Sequence, residues 1–253
     1  MADDGPLLPI PGGGRRLSRG LLAAVLIVGS ARVVACGAEP DEGWFEQARA
    51  RMVADQLRAR DIADPRVLAA MARVPRHEFV EPSLRRRAYD DAPLPIGHGQ
   101  TISQPYIVAL MTQLLELKGS ERVLEVGTGS GYQAAVLAEV AAEVYSIEIV
   151  EPLARAAAQR LKALGYARVE VLAGDGYAGW PQRAPFHGIL VTAAADHVPQ
   201  ALLDQLAEGG RLVMPVGQTA DVQRLILAVK QGGAIQTRIV ADVRFVPLVV
   251  PPK

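Results

Sequence analysis

From Arg122 onward, short apolar segments alternate with helical stretches, and no other feature constrains the fold as strongly. A strand buried on both faces reads as a continuous apolar run, and strands separated by helices pair in parallel. Arg122 to Val126 is the first strand and Val144 to Glu148 the second. A helix opening at Glu151-Pro152 and ending near Gly165 leads to a third strand from Val169 to Ala173, and Gly188 to Thr192 supplies a fourth. A helix from Val198 to Leu206 is expected to stop at Gly209-Gly210, before a fifth strand from Arg211 to Met214. The last two segments, Arg224 to Lys230 and Ile235 to Val246, are parted by Gly232-Gly233 and are expected as a hairpin. The expected architecture is α/β, a mostly parallel doubly wound sheet ending in an antiparallel strand pair.

Upstream, Glu46 to Arg60 carries Met52, Val53 and Leu57 at helical spacing, and Asp64-Pro65 suits an N-cap with proline at the first helical position. The segment Ala92 to Gln100 is rich in turn formers and is expected as a loop or irregular arm. Ser103-Gln104-Pro105 then opens a further helix with Ile107, Leu110, Met111, Leu114 and Leu115 inward, so helices precede the sheet. The first 43 residues read differently. Arg15, Arg16 and Arg19 precede the short apolar run Leu21 to Val28, and the only cysteine, Cys36, follows Val33-Val34-Ala35. That outline resembles a bacterial lipoprotein signal; the alternative is a disordered or untranslated leader, with Met52 as the start. The expected division is a leader over 1–43 and one domain over 44–253. With 27 Lys+Arg against 27 Asp+Glu, the chain lacks the basic excess of a nucleic-acid binder, and one cysteine excludes a disulfide framework.

The strongest chemical signal lies where the first strand meets its helix, at Gly127-Thr128-Gly129-Ser130-Gly131. Glycines there let the backbone turn tightly and approach a ligand, beside the free N–H groups of a helix start. The spacing is G-x-G-x-G, not the dinucleotide G-x-G-x-x-G, and suits a cofactor without a pyrophosphate, such as S-adenosylmethionine. Glu148 ends the second strand about 20 residues on, where an acid accepts hydrogen bonds from both ribose hydroxyls. Gly174-Asp175-Gly176 follows the third strand, where a carboxylate can reach an adenine amino group. Each acid alone is also an ordinary strand-end residue; the three features together fall on the carboxyl edge of one sheet. Trp180 and Tyr177 either wall the adenine pocket or pack on the sheet edge.

The run Pro95 to Tyr106, with Leu124 to Gln133 behind it, closely resembles the protein-L-isoaspartate O-methyltransferase family, and Thr101-Ile102-Ser103 is the element specific to it. The likeness continues through Gly174-Asp175-Gly176, Glu208 to Gly217 and Val243 to Leu248, covering about Met52 to Val249. The resemblance implies a Rossmann-like methyltransferase fold and methyl transfer from S-adenosylmethionine to the α-carboxylate of L-isoaspartyl residues in damaged proteins and peptides. The ester then closes to a succinimide, which reopens partly to aspartate. It implies Ser103 as the catalytic residue, although serine before Gln104-Pro105 also suits a helix N-cap. Cofactor binding is expected from Thr101, Ile102, Gly127, Thr128, Gly129, Gly131, Glu148, Gly174 and Asp175. No metal is expected, since His77, His98, His187 and His197 lack a ligand spacing. The alternatives are a nicotinamide-dependent oxidoreductase, which the glycine spacing disfavours, and an exported, lipid-anchored binding protein that lost the activity. The expectation is a cytoplasmic monomer, membrane-bound only if Cys36 is lipidated.

Overall fold

The computed structural model describes residues 40–218 and 221–249, so the leader and Cys36 lie outside the described residues. Asp41 caps helix α1 (Glu42–Arg51), its carboxylate accepting the Trp44 N–H at 2.9 Å, and the helix begins one turn ahead of the expected Glu46. Its continuation, Met52–Arg58, widens, and the Ala59 N–H reaches back five residues to the Ala54 carbonyl. The wider turns bury Met52, Val53 and Leu57 together. Helix α2 (Pro65–Arg73) starts as expected: the Asp64 carboxylate accepts the amides of Arg66 and Val67, with Pro65 where a missing N–H costs nothing.

The stretch expected as a loop is a small hairpin, β1 (Leu94–Gly97) with β2 (Gln100–Ile102). Leu94, Ile96 and Ile102 turn inward, and His98 and Gly99, at φ 52° and 70°, make the turn. Helix α3 (Pro105–Leu114) follows. The cap position is Gln104, without a side-chain cap bond; Ser103 stands outside it, so the expected capping role does not hold.

The remaining elements are β3 (Arg122–Val126), α4 (Tyr132–Val140), β4 (Glu143–Glu148), α5 (Glu151–Ala163), β5 (Val169–Ala173), β6 (Phe186–Val191), α6 (Gln200–Asp204), β7 (Leu206–Val216), β8 (Gln223–Gln231) and β9 (Ala234–Val243). They build a seven-stranded sheet in the order β5-β4-β3-β6-β7-β8-β9. The pairs from β5 across to β7 are parallel, and β8 and β9 join antiparallel, as expected. The chain runs outward from β3 to β5 and then returns to lay β6 against the other side of β3. The loops leaving β3 and β6 therefore diverge and open the crevice in which such sheets hold ligands.

Two expectations fail at β7. The helix expected over Val198 to Leu206 is reduced to α6, and Gly209-Gly210 lie inside the strand instead of stopping a helix. The pair forms a bulge against β6: the register shifts between Phe186 and Gly188, and a Cβ on Gly210 would stand 2.7 Å from the Ala207 carbonyl oxygen. At the other end β9 stops at Val243, short of the expected Val246, because the chain turns onto Ala194. The Ala194 N–H donates to the Val246 carbonyl at 2.8 Å and the Leu248 N–H to the Ala194 carbonyl at 2.7 Å.

Alternation along each strand feeds two cores. Val123, Leu190 and Val213 join the larger, with α2, α3 and α4; Leu124, Val126, Ile189 and Met214 join the smaller, on the opposite face. Trp180 meets Tyr145 edge-on at 5.4 Å in the smaller core, which settles its packing role. Among the described residues no helix is long and apolar enough to cross a membrane.

Candidate active site

The crevice is set by a contact between the ends of β3 and β6. Gly127, at φ 98°, follows β3, and a Cβ there would lie 2.3 Å from Thr192 Oγ1. No other residue lets the Thr192 hydroxyl donate to the Gly127 carbonyl at 2.6 Å. Gly131, at φ 89°, has a different reason: it caps α4, and a Cβ would press on Leu161 of α5 at 3.2 Å. It packs helix on helix and borders none of the hollows described below.

Three adjoining hollows open at this edge, and Thr101 and Thr192 border all of them. The outermost, of about 480 Å³, has Ser103, Gln104, Asp242, Arg244 and Phe245 in its wall. A second, narrow slot runs over Gly127 and Gly129 to Glu148, between the apolar side chains of Val126, Ile147, Val246 and Leu248. The third lies beneath, among Ile102, Ser103, Glu125, Thr128 and Gln133. Ser103 thus borders both the outer and the deep hollow, and its hydroxyl has no hydrogen-bond partner among the described residues.

Glu148 is buried in the slot wall and shapes the glycine loop. One carboxylate oxygen accepts the Gly129 N–H at 2.8 Å and the other the Val150 N–H at 2.9 Å. Each oxygen keeps a second lone pair for hydroxyl donors. Gly174 and Asp175 take other duties. The Gly174 N–H donates to the Glu148 carbonyl at 2.9 Å, and the Asp175 carboxylate accepts the Tyr177 N–H at 2.9 Å to cap a short turn. Neither borders the three hollows; Gly176 borders the slot instead. Thr101, Ile102, Ser103, Gly127, Thr128, Gly129 and Glu148 are brought together, whereas Gly131, Gly174 and Asp175 support them from behind.

Glu125 was not singled out from sequence, and it is the most unusual group in the site. It is fully buried on β3, its Oε2 accepting the Ser146 hydroxyl at 2.5 Å, while its Oε1 has no partner. Burial pushes its carboxyl up to about 8, against the Ser146 hydrogen bond and with the help of the Glu148 charge. A carboxyl with an orphaned oxygen, bordering a hollow, is a ready partner for a cation. The available signal was the position itself: one acid inside an otherwise apolar, doubly covered strand.

These residues suit S-adenosylmethionine. The slot offers apolar walls for a flat base and a carboxylate for a ribose diol, and Glu125 offers a carboxylate for an ammonium group. The deep hollow and the slot meet the outer cavity at Thr101 and Thr192.

Comparison with known proteins agrees with this geometry. The family model for protein-L-isoaspartate(D-aspartate) O-methyltransferase matches residues 47–251. A protein-L-isoaspartate O-methyltransferase of Opitutus terrae is 59% identical over 227 residues, 90% of this chain and 95% of that protein. Protein-L-isoaspartate O-methyltransferase 2 of Syntrophobacter fumaroxidans is 53% identical over 243 residues, 92% of this chain and 98% of that protein. A solved protein-L-isoaspartate O-methyltransferase superposes with a TM-score of 0.72 at 30% identity, over 79% of this chain and 65% of its own. A Plasmodium falciparum structure assigned to the same enzyme, solved with S-adenosyl-L-homocysteine, superposes with a TM-score of 0.67 at 28% identity, over 79% of this chain and 98% of its own. A family match spanning most of the chain, and relatives this similar across nearly their whole length, place it: the chain belongs to the protein-L-isoaspartate(D-aspartate) O-methyltransferase family.

Proposed function

We propose that this protein transfers the methyl group of S-adenosylmethionine to the α-carboxylate of L-isoaspartyl residues in damaged proteins and peptides, starting their repair through a succinimide. The observation that carries the reading is the meeting, at Thr101 and Thr192, of an apolar-walled slot that ends on Glu148 and an outer cavity, with Ser103 between that cavity and the deep hollow. The family membership fits the same chemistry and speaks against the nicotinamide alternative.

When bound, the cofactor supplies a methyl group already activated on a positively charged sulfur, which departs as a neutral thioether. The acceptor carboxylate is already a competent nucleophile, so the chain's task is placement. Holding two partners in line removes much of the entropic part of a bimolecular barrier. Glu148, Gly127 and Gly129 would hold the nucleoside portion and Glu125 the ammonium group, with Thr101 at the junction and Ile102 and Thr128 in the deep hollow. Gly131, Gly174 and Asp175 keep these walls in place. The Ser103 hydroxyl donates to one acceptor oxygen and aims the other at the methyl group. The apolar walls keep water from the reacting oxygen.

The reading places the protein in the cytoplasm, where S-adenosylmethionine is made, acting as a monomer on isoaspartyl-containing proteins. Cys36 links it to a membrane only if that residue is lipidated. Repair itself is the test. An isoaspartyl peptide incubated with the purified chain and S-adenosylmethionine is expected to pass through a methyl ester and to accumulate its normal aspartyl isomer, as read by chromatography and mass spectrometry. Recovery of unchanged peptide with no ester at any time contradicts the proposal.

A further inference from the structure

The acceptor enters the site as an anion, yet among the described residues the walls of the three hollows carry the carboxyl groups of Glu125, Glu148 and Asp242 and one cation, Arg244. That guanidinium has no ion pair or hydrogen bond among the described residues, whereas Arg122, Arg183 and Arg211 are paired with Glu143, Glu170 and Glu116. It is exposed at the outer cavity, where a carboxylate can reach it.

Its backbone is held on both sides. Val243 closes β9 against Gln223, and the Phe245 N–H donates to Gln223 Oε1 at 2.8 Å. One residue further, Val246 accepts the Ala194 N–H beside Thr192. Arg244 thus sits in a stretch pinned on both sides, in which Val243 turns into the core, and it borders the outer cavity with no competing partner among the described residues. A guanidinium placed this way suits planar, two-point binding of a carboxylate.

Resting on the acceptor chemistry proposed above, we propose that Arg244 determines acceptor specificity by binding a carboxylate of the peptide. An isoaspartyl residue continues the chain through its side chain and leaves its α-carboxylate free. A carboxylate in this cavity therefore belongs to that residue or to an acidic neighbour.

The test compares wild type, Arg244→Gln and Arg244→Lys on three isoaspartyl peptides whose following residue is Ala, Asp or Lys. Rates are read as separate KM and kcat, and S-adenosylhomocysteine affinity by calorimetry reports whether the cofactor site is intact. The expected result for Arg244→Gln is a KM raised at least about tenfold, the lower end of the worth of a charge-assisted hydrogen bond, with kcat and S-adenosylhomocysteine affinity held and part of the loss recovered by Arg244→Lys. A rise equal across the three peptides assigns the isoaspartyl carboxylate; a rise confined to the Asp peptide assigns the neighbour. Unchanged KM on every peptide overturns the assignment of Arg244. A wild type that methylates none of the three contradicts the proposed function instead, which keeps the two failures apart.

Discussion

Replacing Glu125 by Gln isolates a buried proton. The native carboxyl titrates near 8 and the ordinary value is 4.5, with burial the main cause. Between those values the folded chain holds a proton that the unfolded chain has released, so this group favours folding most below about 4.5 and the benefit is lost as the pH rises through about 8. At up to about 1.4 kcal/mol per pH unit, the loss between pH 6 and pH 8 is roughly 2–3 kcal/mol. For a domain of this size that lowers the melting temperature by about 5–10 °C. Glutamine keeps an acceptor for the Ser146 hydroxyl and does not titrate, so the variant lacks this slope. The assay is thermal unfolding of wild type and Glu125→Gln across pH 6 to 8.5 without cofactor, paired with calorimetry of S-adenosylhomocysteine in buffers of different ionisation enthalpy. At pH 7 an ammonium group beside Glu125 requires the ionised form, so wild type is expected to release up to about one proton on binding and the variant none. Parallel stability profiles, or equal proton release by both proteins, refute the assignment of a neutral carboxyl waiting for a cation.

Two further outcomes follow from the same contacts. Ser103→Ala is expected to lower the transfer rate on the order of 100-fold while leaving the melting temperature and S-adenosylhomocysteine affinity unchanged, because the Ser103 hydroxyl makes no cap bond to α3; equal losses of stability and rate contradict it. Gly127→Ala sets a Cβ against Thr192 Oγ1 at a φ of 98° and is expected to cost about 2–4 kcal/mol. Thermal unfolding and cofactor titration read that cost, and a variant of wild-type stability rules out the close approach of β3 and β6.

The sheet was legible because burial on both faces writes itself as apolar runs, and the glycine loop because its residues are adjacent in the chain. Glu148 was reachable by counting from that loop to the next strand end. The hairpin over Leu94 to Ile102 was hidden: its strands are so short that Pro95, Gly97 and Gly99 dominate the local pattern. Gly209-Gly210 misled for a related reason, since a glycine pair marks a helix stop and a bulge alike, and only the shifted register against β6 tells them apart. Strand-end position places Asp175 at the carboxyl edge of the sheet but says nothing about its protein partner, which is the Tyr177 amide at one carboxylate oxygen. Glu125 and Arg244 escaped for opposite reasons: the first is one acid lost in an apolar strand, and the second joins the site only because the chain after β9 folds back onto Ala194. The leader's Cys36 falls outside the described residues.

The most direct test of the central claim is transfer of labelled methyl from S-adenosylmethionine to a synthetic isoaspartyl peptide, measured beside the same peptide with a normal aspartyl residue. The account predicts base-labile label on the isoaspartyl peptide and none above background on its partner. Equal labelling of both, or labelling of neither by a protein that binds S-adenosylhomocysteine, contradicts it.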